Sequence, residues 1–104
     1  MNYDVVIIGN GIIGYSVAYA TLIENPKLKI AIIGKKTRDG SATTAAGAMV
    51  NCFAELSSHS LKSSAGKQKF EICRQALAMW PNWLDSLNFH LSPQEQIKIN
   101  YGTF

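Results

Sequence analysis

Residues 5–14 read V-V-I-I-G-N-G-I-I-G, a short apolar run followed by three spaced glycines. The segment from Tyr3 to Ile8, Y-D-V-V-I-I, is a short β-branched run without polar alternation, which predicts a strand covered on both faces, as in a parallel sheet. Gly9, Gly11 and Gly14 have the spacing G-x-G-x-x-G, which indicates a dinucleotide-binding turn when a strand precedes it and a helix follows. Gly9 would allow the tight turn, Gly11 would let a pyrophosphate approach the backbone, and Gly14 would let the helix pack closely.

The residues that follow supply this context. Over residues 11–24 apolar side chains recur at helical spacing, among them Ile12, Val17, Ala20 and Ile23. The pair Asn25-Pro26 is expected to end this helix, because a residue that precedes proline disfavours the α conformation. Residues 28–33 are again short and apolar and predict a second strand. The sequence therefore predicts an α/β fold that starts with a Rossmann-like βαβ unit, in which the two strands are parallel.

The predicted second strand ends in an unusual way for a dinucleotide-binding unit. An acid that binds a ribose hydroxyl usually follows this strand, and here Gly34 stands in that position. Two interpretations stay open. In one, backbone or water holds the ribose. In the other, the missing acid together with Lys35, Lys36 and Arg38 favours a 2′-phosphate and therefore NADP.

The rest of the chain predicts a long loop, a long helix and a strand. Residues 34–64 have weak periodicity, with a short helix expected over residues 43–50. Residues 65–88 predict an amphipathic helix, capped by Ser63 or Ser64 and kinked or split at Pro81. Its apolar stripe consists of Phe70, Cys73, Leu77, Trp80, Leu84 and Leu87. Residues 97–104 alternate between apolar and polar and predict a strand with one solvent-exposed face.

Composition excludes several classes of protein. Of the 104 residues, 47% are hydrophobic and 16% charged, which is typical of a globular domain. The longest apolar runs are far shorter than the roughly 20 residues of a membrane span. The net charge of +3 comes without a basic run interleaved with aromatics, so we expect no nucleic-acid partner. Cys52 and Cys73 are not in a C-x-x-C pair, which favours reduced thiols, a cytoplasmic location and no metal site.

Two motifs together resemble one known family. Residues 4–14, D-V-V-I-I-G-N-G-I-I-G, and the small-residue stretch G-S-A-T-T-A-A-G-A-M at residues 40–49 look like the flavin-contacting segments of the D-amino-acid oxidase and glycine oxidase family. The resemblance implies FAD as the cofactor. The implied FAD-binding residues are Gly9, Gly11, Ile12, Ile13, Gly14, Gly34, Lys35, Ser41, Ala42, Ala46, Gly47 and Ala48. The adenosine diphosphate half would lie on the first motif, and the stretch from Ser41 to Ala48 would reach toward the flavin.

The resemblance also implies a reaction. An amine or amino acid would lose a hydride to the flavin, which oxidises its carbon–nitrogen bond. No residue is assigned to catalysis. Residues 1–104 are expected to be the N-terminal part of an FAD-binding domain, with residues 96–104 beginning a substrate-domain strand. We expect such a fragment to be inactive alone and to self-associate through uncovered apolar surface. An NADP-binding module and a non-catalytic fragment that keeps the fold are the alternatives.

Overall fold

The computed structural model describes residues 1–47, 50–53 and 56–100. The chain divides into two compact units, Met1–Met49 and Val50–Phe104. The first unit contains β1 (Val5–Ile8), α1 (Ile12–Glu24), β2 (Ile30–Ile33) and the short helix α2 (Ala42–Ala45). The second contains α3 (Ser64–Phe89).

The predicted βαβ unit is confirmed. β1 and β2 pair in parallel, with Val5 opposite Ile30 and Ile8 opposite Ile33. Asp4 fixes this register at the start of the pair, because its backbone N–H donates to the Lys29 carbonyl at 2.9 Å and its carboxylate accepts from the Lys29 N–H at 2.8 Å. α1 ends at Glu24, as the Asn25-Pro26 pair predicts.

Only one face of the strand pair is well covered, which agrees with the expected uncovered apolar surface, whereas the two covered faces that the apolar run predicts are not observed. Val5 and Ile7 are half-buried, whereas Ile8 is 88% exposed and Val6 also points to solvent. Successive side chains of a strand point to opposite faces, and α1 lies on the face of Ile7. The first unit therefore has a thin core on one side of two strands.

The face that α1 packs on the strands is made of small residues. Ala18 is 7% exposed, the only buried side chain among the described residues of this unit, and Gly14 is half-buried one turn before it. Ile12, Val17 and Ile23, which suggested the helix through their spacing, are exposed. The helix is thus confirmed, but small residues form the contact because they let α1 approach the sheet closely.

The second unit is organised by α3, which confirms the predicted long helix. All six residues of the predicted stripe are buried or half-buried, with Leu84 at 8% exposure. The Ser63 Oγ caps the helix by accepting from the Gly66 N–H at 3.0 Å. The helix is continuous through Pro81, so the predicted split is wrong. The apolar stripe continues on both sides of the proline, and its packing outweighs the loss of one helical hydrogen bond.

Two other local predictions differ from the structure. The short helix expected over residues 43–50 is α2, which ends at Ala45; Ala48 and Met49 lie outside the described residues. Residues 97–100 do not form a strand, and residues 101–104 lie outside the described part. The Asn88 side chain provides the reason, because it accepts from the Ile97 N–H at 2.8 Å and donates to the Ile97 carbonyl at 2.9 Å. These backbone groups are thereby occupied by a helix side chain instead of a neighbouring strand.

The exposed ion pair on α3 gives a testable pH dependence. Arg74 donates two hydrogen bonds to the Glu71 carboxylate, at 2.9 and 2.7 Å, and Gln75 donates a third at 3.0 Å. These bonds, chiefly those from Arg74, lower the pKa of Glu71 to about 2. Because the folded pKa is depressed, the stabilisation is present above the unfolded pKa of about 4.3 and is lost as the pH falls toward 2.

We expect an NMR titration of Glu71 to give a midpoint near 2, and the Arg74→Met variant to raise it toward about 4.3. Lys69→Met is the control, since residues two apart on a helix do not face each other. An equal rise in both variants would show that general charge, rather than the Arg74 contact, sets the pKa.

Candidate dinucleotide-binding site

The turn after β1 depends on Gly9. Its φ of +119° is a conformation that side-chain-bearing residues rarely adopt. Its N–H donates to the Ile33 carbonyl at 2.7 Å, so the turn is joined to the end of β2. The carboxyl ends of both strands are therefore held together where α1 begins, the place where ligands bind in open α/β sheets.

Gly14 allows α1 to rest directly on this turn. A Cβ at Gly14 would overlap the carbonyl oxygen of Gly9 and lie 3.5 Å from Cγ2 of Ile7. Backbone is therefore packed against backbone at this point. The close approach that the third glycine of the motif predicts is confirmed, and it fixes the start of α1 relative to the strands.

The N-terminus of α1 presents amide groups to its surroundings. Gly11 is the N-cap residue and has no side chain to accept a hydrogen bond from the first turn. The Ile12 N–H instead donates to Oγ1 of Thr43 at 3.1 Å. The helix geometry leaves the N–H groups of Ile13 and Gly14 without an acceptor within the helix. Together with the positive end of the helix dipole, these amides favour an anion.

Arg38 adds a positive charge beside this helix end. Its Nη2 donates to Oγ of Ser41 at 2.6 Å, and the Ser41 N–H donates to the Arg38 carbonyl at 2.9 Å. The same Nη2 is 3.3 Å from the position that a Cβ on Gly11 would occupy. The half-buried guanidinium is thus held beside the glycine turn, where it can bind a phosphate with geometry suited to its fork of donors.

The end of β2 is occupied by the side chain of Asn10. A Cβ at Gly34 would overlap Cγ and Oδ1 of Asn10 and would lie 2.7 Å from its Cβ. The Asn10 Nδ2 donates to the Lys35 carbonyl at 3.0 Å. The position that usually carries the ribose-binding acid is therefore covered by a neutral carboxamide from the turn after β1.

The structure brings together most of the residues that the sequence analysis assigns to the cofactor. The turn and the first residues of α1 contain Gly9, Gly11, Ile12, Ile13 and Gly14. Asn10 links them to Gly34 and Lys35. The Arg38 guanidinium lies beside Gly11 and donates to Ser41, and the Thr43 hydroxyl accepts from the Ile12 N–H. Ala42 begins α2 and Ala46 is its C-cap residue, both exposed. A Cβ at Gly47 would meet open space, and Ala48 lies outside the described residues.

Sequence reasoning missed two residues of this site and understated a third. Asn10 occupies the first variable position of the glycine motif, and no pattern in the sequence signals its contact with Gly34. Thr43 stands in the small-residue loop, where only its hydroxyl hints at a capping role. Arg38 enters the sequence analysis only through a 2′-phosphate, whereas the structure places its guanidinium near Gly11.

The described residues contain neither a candidate metal site nor a candidate membrane span. No three His, Cys, Asp or Glu side chains in the described ranges gather as metal ligands would. Within the same ranges, no helix combines the length and the apolarity that crossing a bilayer requires.

The turn, α1 and β2 define a dinucleotide-binding βαβ unit of the Rossmann kind. A sequence profile of the family described as FAD dependent oxidoreductase matches residues 4–103. The chain therefore belongs to the FAD dependent oxidoreductase family, whose members depend on FAD. Membership implies FAD-dependent oxidoreductase activity in general, and it confirms the predicted cofactor and fold class. No curated protein matches the chain.

Proposed function

We propose that the first unit binds the adenosine diphosphate half of FAD and that the protein oxidises a carbon–nitrogen bond of an amine or amino acid. The observation that carries the cofactor site is the start of α1, where the Arg38 guanidinium lies beside Gly11 and the amides of Ile13 and Gly14 have no acceptor within the helix. The lack of a Cβ at Gly11 leaves room for the Arg38 guanidinium and the Thr43 hydroxyl beside this end of the helix. The residues present therefore fit the nucleotide half of the cofactor.

Each residue of the site has a separate task in this proposal. The amides of Ile13 and Gly14 donate to one phosphate oxygen, and Arg38 neutralises part of the diphosphate charge. Ser41 holds the guanidinium in place, and Lys35 lies beside the ribose. When bound, FAD supplies an acceptor for a hydride from the carbon next to nitrogen. The choice of an amine or amino acid is supported by the two motifs that resemble D-amino-acid oxidase and glycine oxidase.

We assign no described residue to substrate binding, and we propose that the chain of residues 1–104 is inactive alone. The small-residue stretch from Ser41 onward would extend toward the flavin ring, where small side chains allow the backbone to approach a flat ligand. A cytoplasmic location is part of the same proposal. It is supported by Cys52 and Cys73, both of which are free thiols.

The test is a titration of the protein with FAD and, separately, with NADP, followed by flavin fluorescence and protein fluorescence. We expect saturable binding of FAD that ADP reverses, and no saturable response to NADP. Saturable NADP binding without a flavin response would instead identify a nicotinamide-binding module. If neither nucleotide binds to a folded protein, the chain is a non-catalytic relative that keeps the fold.

A second copy of the chain is the partner that we propose for the uncovered side of the sheet. Val6, Ile8 and Ile33 are exposed there, and a strand pair with an open apolar face and open edges tends to associate. We expect light scattering to give a mass above that of the 11.4 kDa monomer. Ile8→Lys should lower this mass toward the monomer, while Ile72→Lys, on the exposed side of α3, should leave it unchanged. A monodisperse wild-type monomer with a cooperative melt would contradict the proposal.

A further inference from the structure

The residue that follows β2 in this site has no side chain, and a side chain from the glycine turn occupies the space instead. In dinucleotide-binding units an acid after the second strand usually binds the ribose 2′-hydroxyl. Here Gly34 has no side chain, and the carboxamide of Asn10 extends from the turn into the space that a side chain at Gly34 would begin to fill. The polar group near the ribose position is present, but it comes from the turn after β1.

The two positions exclude each other sterically. Any Cβ at Gly34 would overlap Cγ and Oδ1 of Asn10, so an acid cannot follow β2 while Asn10 keeps this rotamer. The rotamer is itself held, because Nδ2 donates to the Lys35 carbonyl at 3.0 Å and the residue is half-buried. Asn10 and Gly34 therefore form a coupled pair rather than two independent departures from the usual pattern.

The held carboxamide keeps hydrogen-bonding capacity for a ligand. An asparagine side chain has two N–H donors and an oxygen with two lone pairs. One N–H is used by Lys35, which leaves the other N–H and Oδ1 beside Gly34. A ribose hydroxyl, which both donates and accepts, matches a group of this kind.

We propose that Asn10 takes the place of the missing acid and hydrogen-bonds the 2′-hydroxyl of the adenosine ribose. This inference rests on the proposed function, since it concerns the nucleotide that the same site binds. It makes Asn10 a specificity-determining residue whose side-chain position requires a glycine at residue 34, because a Cβ there would displace the carboxamide.

The test compares ADP with 2′-deoxy-ADP as competitors for FAD in the intact protein. Wild-type protein should prefer ADP by about 10-fold, the effect of one hydrogen bond of about 1.4 kcal/mol. Asn10→Ala should weaken ADP about 10-fold and reduce the preference to about one, without changing the affinity for 2′-deoxy-ADP. Lys36→Ala is the control for loss of a neighbouring polar side chain and should keep the preference.

A second part of the test moves the polar side chain from position 10 to position 34. Gly34→Glu alone should weaken ADP, because the new side chain collides with Asn10. The double variant Asn10→Gly with Gly34→Glu should restore both the affinity for ADP and the preference over 2′-deoxy-ADP. Such a rescue is expected only if the side chains at positions 10 and 34 can each hydrogen-bond the same ribose hydroxyl.

Each outcome separates this inference from the proposed function. If Asn10 only supported the loop at Lys35, its replacement would weaken ADP and 2′-deoxy-ADP equally, and the inference would be wrong. A wild-type protein that binds ADP and 2′-deoxy-ADP with equal affinity also overturns it, without any variant having to fold, and leaves the FAD proposal intact. A folded wild-type protein that binds neither nucleotide refutes both.

Discussion

Gly14→Ala is expected to lower the melting temperature of the first unit and to weaken FAD binding together. The added Cβ would overlap the carbonyl oxygen of Gly9, which is backbone and cannot rotate away. Overpacking of this kind costs about 1–3 kcal/mol or more. Alanine also favours a helix over glycine by about 1 kcal/mol, which opposes the effect. We expect the collision to outweigh the propensity, because Gly9 is itself fixed by its hydrogen bond to Ile33.

Circular dichroism melts and FAD titrations on the same preparations measure both effects. A loss of 1 kcal/mol corresponds to about 4–8 °C in the melting temperature of a domain of this size. Gly47→Ala is the matched control for stability, since the same substitution there would meet open space and should leave the melting temperature unchanged or slightly raised. A Gly14→Ala variant as stable as the wild type would mean that α1 does not rest on the turn as closely as we describe.

The βαβ unit could be predicted from sequence because its signals are local. Two short β-branched runs, the glycine spacing and the Asn25-Pro26 pair each act within a few residues of the feature that they determine. The amphipathic stripe of α3 is also local, since helix geometry places positions three and four apart on one side. These signals predicted the order and type of β1, α1, β2 and α3, although both predicted strands begin two residues before the observed ones.

The contacts of the site could not be predicted, because they join residues far apart in the chain. Asn10 meets the Lys35 carbonyl across 25 residues, and Thr43 meets Ile12 across 31 residues. A hydrogen bond of this kind depends on the path of the loop after β2, which has weak periodicity. The packed face of α1 could not be predicted from the sequence for another reason. Its contact is made by Gly14 and Ala18, whereas hydrophobic spacing points to the larger residues Ile12 and Val17.

The missing strand at residues 97–100 shows how a side chain can override a pattern. Alternation of apolar and polar residues favours a strand only where a neighbouring strand offers hydrogen bonds. Asn88 satisfies the backbone of Ile97 from the end of α3 instead. The sequence carries no signal that distinguishes this use of an asparagine from an exposed helix position.

Arg38→Ala is expected to weaken FAD and ADP about 10- to 100-fold, since a hydrogen bond to a charged group contributes about 1.5–3 kcal/mol. The effect should be large because the guanidinium is already positioned. Its bond to Ser41 at 2.6 Å holds it near the Gly11 turn, so little side-chain entropy is lost when a phosphate binds. Melting temperature should change little, because the described contacts of this half-buried guanidinium are with the loop and the glycine turn and not with the packed face of α1.

Lys36→Ala tests whether nucleotide affinity depends on the position of the positive charge in the loop or only on its presence. It removes the same single positive charge two residues earlier in the loop, at an exposed site, and should change nucleotide affinity less than about 2-fold. Ser41→Ala should fall between the two variants, because the arginine remains but is no longer held. If Arg38→Ala and Lys36→Ala weakened binding equally, the loop would act only through its overall charge. A graded series would instead mean that the nucleotide is bound where Arg38, Ser41 and the amides of α1 converge.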